Sequence, residues 1–154
     1  MNKKVGLWEA NVVSKKIENS LLFTWVVALV ATLGSLYFSE IEGFEPCALC
    51  WYQRIFMYPL VILIGVGIIR KDTGVAIYSA ILSGIGMVIA IYHYSIQKFQ
   101  VSDDDVLGCG LVSCSGEYIN WFGFVTIPFL AGIAFILIFS TSLYIIKKRK
   151  EEIA

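Results

Sequence analysis

Four long runs of residues with almost no charge constrain this chain more than any other feature. Within these runs Arg54 is the single charged side chain, and the runs cover residues 19–39, 46–69, 73–97 and 118–146. A helix rises about 1.5 Å per residue, so about 20 residues cross a hydrocarbon core of ~30 Å. The pattern predicts four transmembrane helices over about residues 20–39, 50–69, 74–97 and 123–146.

Composition supports a membrane protein and excludes other classes. The chain has 154 residues, of which 58% are hydrophobic and 16% are charged, and its mean hydropathy is +0.76. Such a composition is unlike that of a disordered segment or an ordinary soluble domain. The formal net charge of zero gives no overall basic field for nucleic acid. No repeat or linker divides the chain, so we expect one integral membrane domain over 1–154, an all-α four-helix bundle.

Charged residues are distributed unevenly among the connections between the runs. Most of the basic ones flank the first span at its start, join spans two and three, or follow span four: Lys3, Lys4, Lys15, Lys16, Arg70, Lys71, Lys147, Lys148, Arg149 and Lys150. The positive-inside rule therefore predicts that both termini are cytoplasmic. It also places segments 45–54 and 98–122 outside. Residues 1–19 are too polar for a signal-peptide start, so we expect the first span to be retained.

All four cysteines fall in the two segments assigned to the outside, as a Cys47/Cys50 pair and a Cys109/Cys114 pair. An oxidising location permits two disulfides, which could serve only to brace the loops. A Cys47–Cys50 bridge closes a very small ring, however, and would stabilise the fold little. Pro46 suits the first turn of a helix, where the macrodipole favours thiolates. We therefore predict that Cys47 and Cys50 form a redox-active pair.

Two further polar residues lie within the outer ends of the spans. Cys47, Cys50 and Arg54 share one helical stripe, with Arg54 about one turn deeper than Cys50. A guanidinium at this depth favours a functional role, with snorkelling to lipid headgroups as the alternative. His93 lies at a similar depth in the third span and could line the same pocket or help to protonate a reduced cofactor. Its alternative is a neutral ring hydrogen-bonded within the bundle.

The sequence offers few acceptors for electrons from such thiols. It has no room or fingerprint for a dinucleotide domain, and haem attachment fails because Trp51, not histidine, follows Cys50. A four-cysteine zinc site would require both loops to converge permanently, so we expect no metal. A lipid quinone, which takes two electrons and two protons, suits a position near Cys50, Trp51 and Arg54.

The segment EPCALCWYQR, residues 45–54, resembles the active-site segment of the DsbB family of quinone-linked disulfide oxidoreductases. The resemblance extends over essentially the whole chain, because that family also has four spans, inward termini and two outward cysteine pairs. The short interval between Cys109 and Cys114 resembles the BdbC-like branch of the family. Gln53 stands where some family members have an acidic residue, so no carboxylate role is carried over to it.

The resemblance implies an enzyme of the bacterial cell membrane that supports disulfide formation in exported proteins. A DsbA-like or BdbD-like thiol oxidase of the thioredoxin fold would attack the Cys109–Cys114 disulfide, and Cys109 would hold the mixed disulfide. Cys114 would then exchange with Cys47. The Cys50 thiolate would contact menaquinone or ubiquinone, held also by Arg54, Trp51 and His93. The competing hypothesis is a tetraspan structural or assembly protein whose disulfides only brace its loops.

Overall fold

The computed structural model describes residues 15–99, 114, 119–120 and 122–153. Four long helices account for nearly all of this part of the chain. They are α1 (Lys15–Leu36), α2 (Ala48–Arg70), α3 (Val75–Phe99) and α4 (Ile127–Ile153), and a π-helical turn, Tyr37–Ile41, extends α1. All four are long and apolar enough to cross a membrane. The predicted all-α, four-transmembrane-helix fold class is confirmed.

The ends of the helices follow local chemistry. α4 begins at Ile127, four residues later than the predicted span, because the Leu130 N–H donates to the Thr126 carbonyl at 3.1 Å and so starts the helix there. Pro128 then lies in the first turn, where a missing N–H has no helical acceptor in any case. At the end of α2, Lys71 adopts a left-handed conformation with φ of 52°. That conformation closes the short turn into α3.

The helices pack in cyclic order, so that α1 contacts α2, α2 contacts α3, α3 contacts α4, and α4 contacts α1. Short connections favour antiparallel neighbours, as the turn between α2 and α3 illustrates. Polar side chains also join adjacent helices. The Thr24 hydroxyl on α1 donates to the Thr141 hydroxyl on α4 at 2.9 Å, and the Trp25 indole donates to the Val61 carbonyl on α2 at 3.1 Å.

Apolar side chains cover both the inside and the outside of the bundle. Phe135, Ile138, Leu60 and Ile64 are fully buried at its centre, while residues such as Ile62 and Ile69 are largely exposed. A soluble domain would not leave so many large apolar side chains in water. The outward surface is therefore suited to lipid, and small residues bring the helices close together.

The packing of Phe135 on α4 against α3 depends on Gly86. A Cβ atom at this position would overlap the ring of Phe135, whereas one at Gly132, on the same interface, would make an ordinary contact of 3.7 Å with Ala90. The Phe135 side chain is fully buried, so its ring would have to shift to admit the extra atom. Gly86 is thus required by packing rather than by backbone conformation.

We predict that Gly86→Ala destabilises the bundle by about 1–3 kcal/mol through overpacking. Gly132→Ala should be neutral, or stabilising by up to about 1 kcal/mol, because alanine favours the helix. Thermal unfolding in detergent micelles, followed by circular dichroism, would compare the two variants. Equal midpoints for the two proteins would contradict the proposed contact between Gly86 and Phe135.

Candidate active site

The start of α2 carries the first cysteine pair. Cys47 is the residue that caps the helix, and its carbonyl accepts the first helical hydrogen bond, from the Trp51 N–H at 3.1 Å. Cys50 follows in the first turn. Pro46 lies one residue before the cap. The prediction that it lies inside the first turn of the helix was therefore wrong. The sulfurs nevertheless lie at the N-terminal end of the helix, where the macrodipole favours thiolates.

The sulfur of Cys47 lies between two partners. It is 3.6 Å from the sulfur of Cys50 and 3.7 Å from Nε2 of His93 on α3. Cys47 and His93 are buried, with 5% and 1% of their surfaces exposed, whereas Cys50 is partly exposed. Both cysteines are free thiols. Small movements of the side chains could therefore join the two sulfurs as a disulfide. The imidazole of His93 contacts the sulfur of Cys47, the more buried of the two cysteines.

Gln53 fixes the other side of the imidazole. The nitrogen of its side-chain amide lies 3.2 Å from Nδ1 of His93, and both residues are buried. The amide oxygen and nitrogen can exchange places by rotation. With the oxygen toward the ring, the amide accepts a hydrogen bond from the Nδ1–H and leaves Nε2 as a base that can take the proton of the Cys47 thiol. Sequence reasoning assigned no role to Gln53. Its polar character, one helical turn after Cys50 in an apolar span, was the available signal.

Arg54 extends from α2 toward α1. Its guanidinium donates to the carbonyl of Ser35 at 3.0 Å and lies over the ring of Trp51, 5.4 Å from the centroid. The Nε atom of Arg54 is buried and has no hydrogen-bond partner among the described residues. An unpaired buried donor is costly. The cost of this buried donor favours a functional role for Arg54 over snorkelling to the lipid headgroups.

A cavity of about 500 Å³ adjoins these residues, between α1, α2 and α4. Cys50, Gln53 and Arg54 line it from α2, and the rest of its wall is mostly apolar, with Phe38, Leu130 and Phe135 among the lining residues. Of the residues predicted to bind a cofactor, Cys50 and Arg54 line this cavity. Trp51 and His93 do not, because Trp51 lies on the outer surface and His93 lies on the Cys47 side of the pair.

The second cysteine pair is described in part. Cys114 is fully buried and disulfide-bonded. It belongs to one buried apolar cluster with Cys47, Leu49 and Ile96, and Cys50 packs against that cluster. Cys109 lies outside the described residues. The structure therefore brings Cys114 to the first pair, on the side away from the cavity.

Hydrogen bonding favours the thiolate of Cys47, which lies just before the membrane-spanning part of α2. A hydrogen bond with the Cys50 thiol lowers the pKa of Cys47, burial of the sulfur raises it by less, and the contact with His93 lowers it further. The net pKa is well below that of an ordinary thiol. Reactivity toward disulfides depends on the thiolate, so the site is suited to thiol–disulfide exchange.

Comparison with known proteins gives one family. Residues 18–145 match the family model described as disulfide bond formation protein DsbB. The probable disulfide formation protein C of Halalkalibacterium halodurans is 58% identical over 136 residues, which cover 88% of this chain and 99% of the relative. No solved structure matches the chain.

Two proteins of Bacillus subtilis are also similar. Its disulfide bond formation protein C is 56% identical over 128 residues, covering 79% of this chain and 91% of the relative. Its SPbeta prophage-derived disulfide bond formation protein B is 39% identical over 138 residues, which cover 90% of this chain and 93% of the relative. The similarity therefore extends over nearly the full length of these proteins.

We predict that His93→Phe shifts the titration of Cys47 toward higher pH. The thiolate is present above the pKa, and loss of the imidazole contact removes one of the interactions that keep that pKa low. Thiolate ultraviolet absorbance of the reduced protein, in a background with Cys109 and Cys114 replaced by alanine, would give the midpoint. Tyr92→Phe, on an exposed side chain of the same helix, is the control. An unchanged midpoint in His93→Phe would show that the imidazole does not act on Cys47.

Proposed function

We infer the function from one premise: this chain belongs to the DsbB family of disulfide bond formation proteins. Its role is in forming disulfide bonds, and its four long apolar helices suit a membrane protein. We propose in addition that it is a quinone-dependent thiol oxidase. It would reoxidise a thioredoxin-fold partner outside the cytoplasm and pass two electrons to a membrane quinone. The observation that carries this proposal is the apolar cavity beside Cys50 and Arg54.

The residues around the cavity fit a quinone. Its wall is mostly apolar, as a lipid-soluble ring and tail require, and one thiol and one guanidinium lie on it. The guanidinium of Arg54, which lines the cavity, can donate to a carbonyl oxygen. When bound, a quinone supplies an acceptor for two electrons and two protons. Cys50 and Arg54 would hold it, Cys50 as the nearest sulfur and Arg54 as a fixed positive charge that favours negative charge nearby.

The positions of the sulfurs support an order of exchange. A reduced partner would attack the disulfide that contains Cys114, and the partner's two thiols would become a disulfide as Cys109 and Cys114 become thiols. The Cys114 thiolate would then attack Cys47 in the oxidised Cys47–Cys50 pair, which frees Cys50 as a thiolate beside the cavity. Each exchange breaks one S–S bond and forms another. The shared burial of Cys47 and Cys114 makes this transfer short.

The orientation of the chain in the membrane follows from the charges at the two ends of the helix bundle. Both described cysteine sites lie at the end where α2 begins, whereas Arg70, Lys71 and the basic end of α4 lie at the other end. The positive-inside rule assigns the basic end to the cytoplasm. We therefore propose that the cysteines face the extracytoplasmic side of a bacterial cell membrane, where a DsbA-like or BdbD-like oxidase would reach them.

The test is quinone reduction by purified protein in detergent, with a reduced thioredoxin-fold oxidase as electron donor. We expect Cys50→Ser to abolish turnover. Arg54→Gln should lower kcat/KM for the quinone about 10- to 100-fold, the equivalent of a lost hydrogen bond to a charged group. Arg54→Lys should recover part of this loss because it restores the positive charge.

Arg70→Gln is the matched control, because Arg70 is an exposed arginine at the opposite end of the same helix. It should leave kcat/KM unchanged. If Cys50→Ser and Arg54→Gln both turn over at the native rate, or if the native protein reduces no quinone, the site does not pass electrons to a quinone. The structural or assembly role would then be the better account.

A further inference from the structure

Three ligand atoms of different residues converge at the buried end of the redox pair. The sulfurs of Cys47 and Cys50 and a ring nitrogen of His93 all lie within 4.8 Å of one another. We propose that, in its dithiol state, this protein binds a Zn²⁺ ion at Cys47, Cys50 and His93, and that the bound ion holds the enzyme in an inactive reduced form. The site differs from a four-cysteine zinc site, because Cys114 is disulfide-bonded and takes no part.

The two spacings around the Cys47 sulfur match those of a tetrahedral zinc site. Zinc–sulfur bonds of about 2.3 Å and zinc–nitrogen bonds of about 2.0–2.1 Å place two sulfurs ~3.8 Å apart, and a sulfur and a nitrogen ~3.6 Å apart. The observed separations from Cys47 are 3.6 Å to the Cys50 sulfur and 3.7 Å to Nε2 of His93. The third separation, from the Cys50 sulfur to the His93 ring nitrogen, is within 4.8 Å, so a movement of the Cys50 side chain toward His93 would complete the site. Three protein ligands leave one tetrahedral position for water.

Gln53 supplies the second element of a metal site. A histidine that binds zinc through one nitrogen usually donates its other N–H to a fixed acceptor, which sets the tautomer and the ring orientation. The Gln53 amide lies 3.2 Å from Nδ1 of His93, on the side away from the sulfurs. With its oxygen toward the ring, it leaves the Nε2 lone pair directed at Cys47. The imidazole can then act as a metal ligand once the amide oxygen and nitrogen of Gln53 have exchanged places.

Binding at this site depends on the oxidation state of the pair. Zinc binds thiolates, so coordination releases the two thiol protons to solvent and changes no oxidation state. A Cys47–Cys50 disulfide has no thiolate and cannot bind the ion in this way. Conversely, a bound ion occupies both sulfurs, and neither can then attack or be attacked. The inhibitory consequence rests on the proposed function, whereas the binding itself does not.

The binding experiment uses the reduced full-length chain in detergent, without a histidine tag, because His93 is the only histidine. Cys109 and Cys114 are both replaced by alanine, so that Cys47 and Cys50 are the only thiols. Zn²⁺ affinity is measured by competition with a chromophoric chelator, and Cd²⁺ is added separately as a probe of thiolate coordination. We expect one ion per chain and a thiolate-to-Cd²⁺ charge-transfer band in the ultraviolet.

Two variants assign the ligands. His93→Phe should weaken Zn²⁺ binding by at least about 100-fold, and Gln53→Leu by about 10- to 100-fold, the range for loss of a partner that orients a ligand. Gln53→Leu keeps all three ligands and thus separates orientation from coordination. Tyr92→Phe should bind as the parent does, and circular dichroism would confirm that each variant keeps its helices. Protein oxidised at Cys47 and Cys50 should bind no ion.

The proposal is overturned if the parent binds no Zn²⁺ under reducing conditions. It is equally overturned if His93→Phe, with its helices intact, binds as tightly as the parent. A second assay measures turnover by the four-cysteine protein, where Zn²⁺ should inhibit the native chain at concentrations at least tenfold below those that inhibit Gln53→Leu. Equal inhibition of both proteins would show that the inhibitory ion binds at a site other than Cys47, Cys50 and His93, and would overturn the inhibitory part of the proposal. Binding without any native turnover would instead contradict the proposed function and leave the metal site standing.

Discussion

The burial of polar side chains at one end of an apolar bundle determines the rest of the site. Cys47, Gln53 and His93 lie among apolar residues, where an unpaired polar group costs about 1–3 kcal/mol. Each therefore has a partner in the same small group, and the partners come from α2 and α3 together. The pairing fixes the ring of His93, the position of the Cys47 sulfur and the register of the two helices at this end.

The same constraint divides the cysteine pair into two sides. On the Cys47 side lie His93 and Cys114, in a closely packed cluster. On the Cys50 side lie Arg54 and the apolar cavity, which α1 and α4 complete. A short cysteine pair at the start of α2 is thus exposed to protein sulfur on one side and to a lipid-soluble ligand on the other. This division is the physical basis on which a single pair could connect two different redox partners.

Much of this could be predicted from the sequence, because bilayer thickness is a strong constraint on helix length. Four runs with almost no charge give four helices, and two members of the predicted stripe, Cys50 and Arg54, line the same cavity. The contacts between helices could not be predicted in the same way. Nothing in the sequence shows that Ser35 accepts from Arg54 or that His93 lies beside Cys47 rather than Arg54, because both depend on how the helices rotate against one another.

The central claim is that the cavity beside Cys50 and Arg54 receives the quinone. Photolabelling with an azido-quinone, followed by mass spectrometry of the labelled peptides, tests this most directly. The account predicts labels on the cavity walls, around Phe38 on the extension of α1 and around Leu130 or Phe135 on α4, and their loss with excess unlabelled quinone. Competed labelling confined to α3 near His93 would contradict it, because that side of the pair would then hold the quinone.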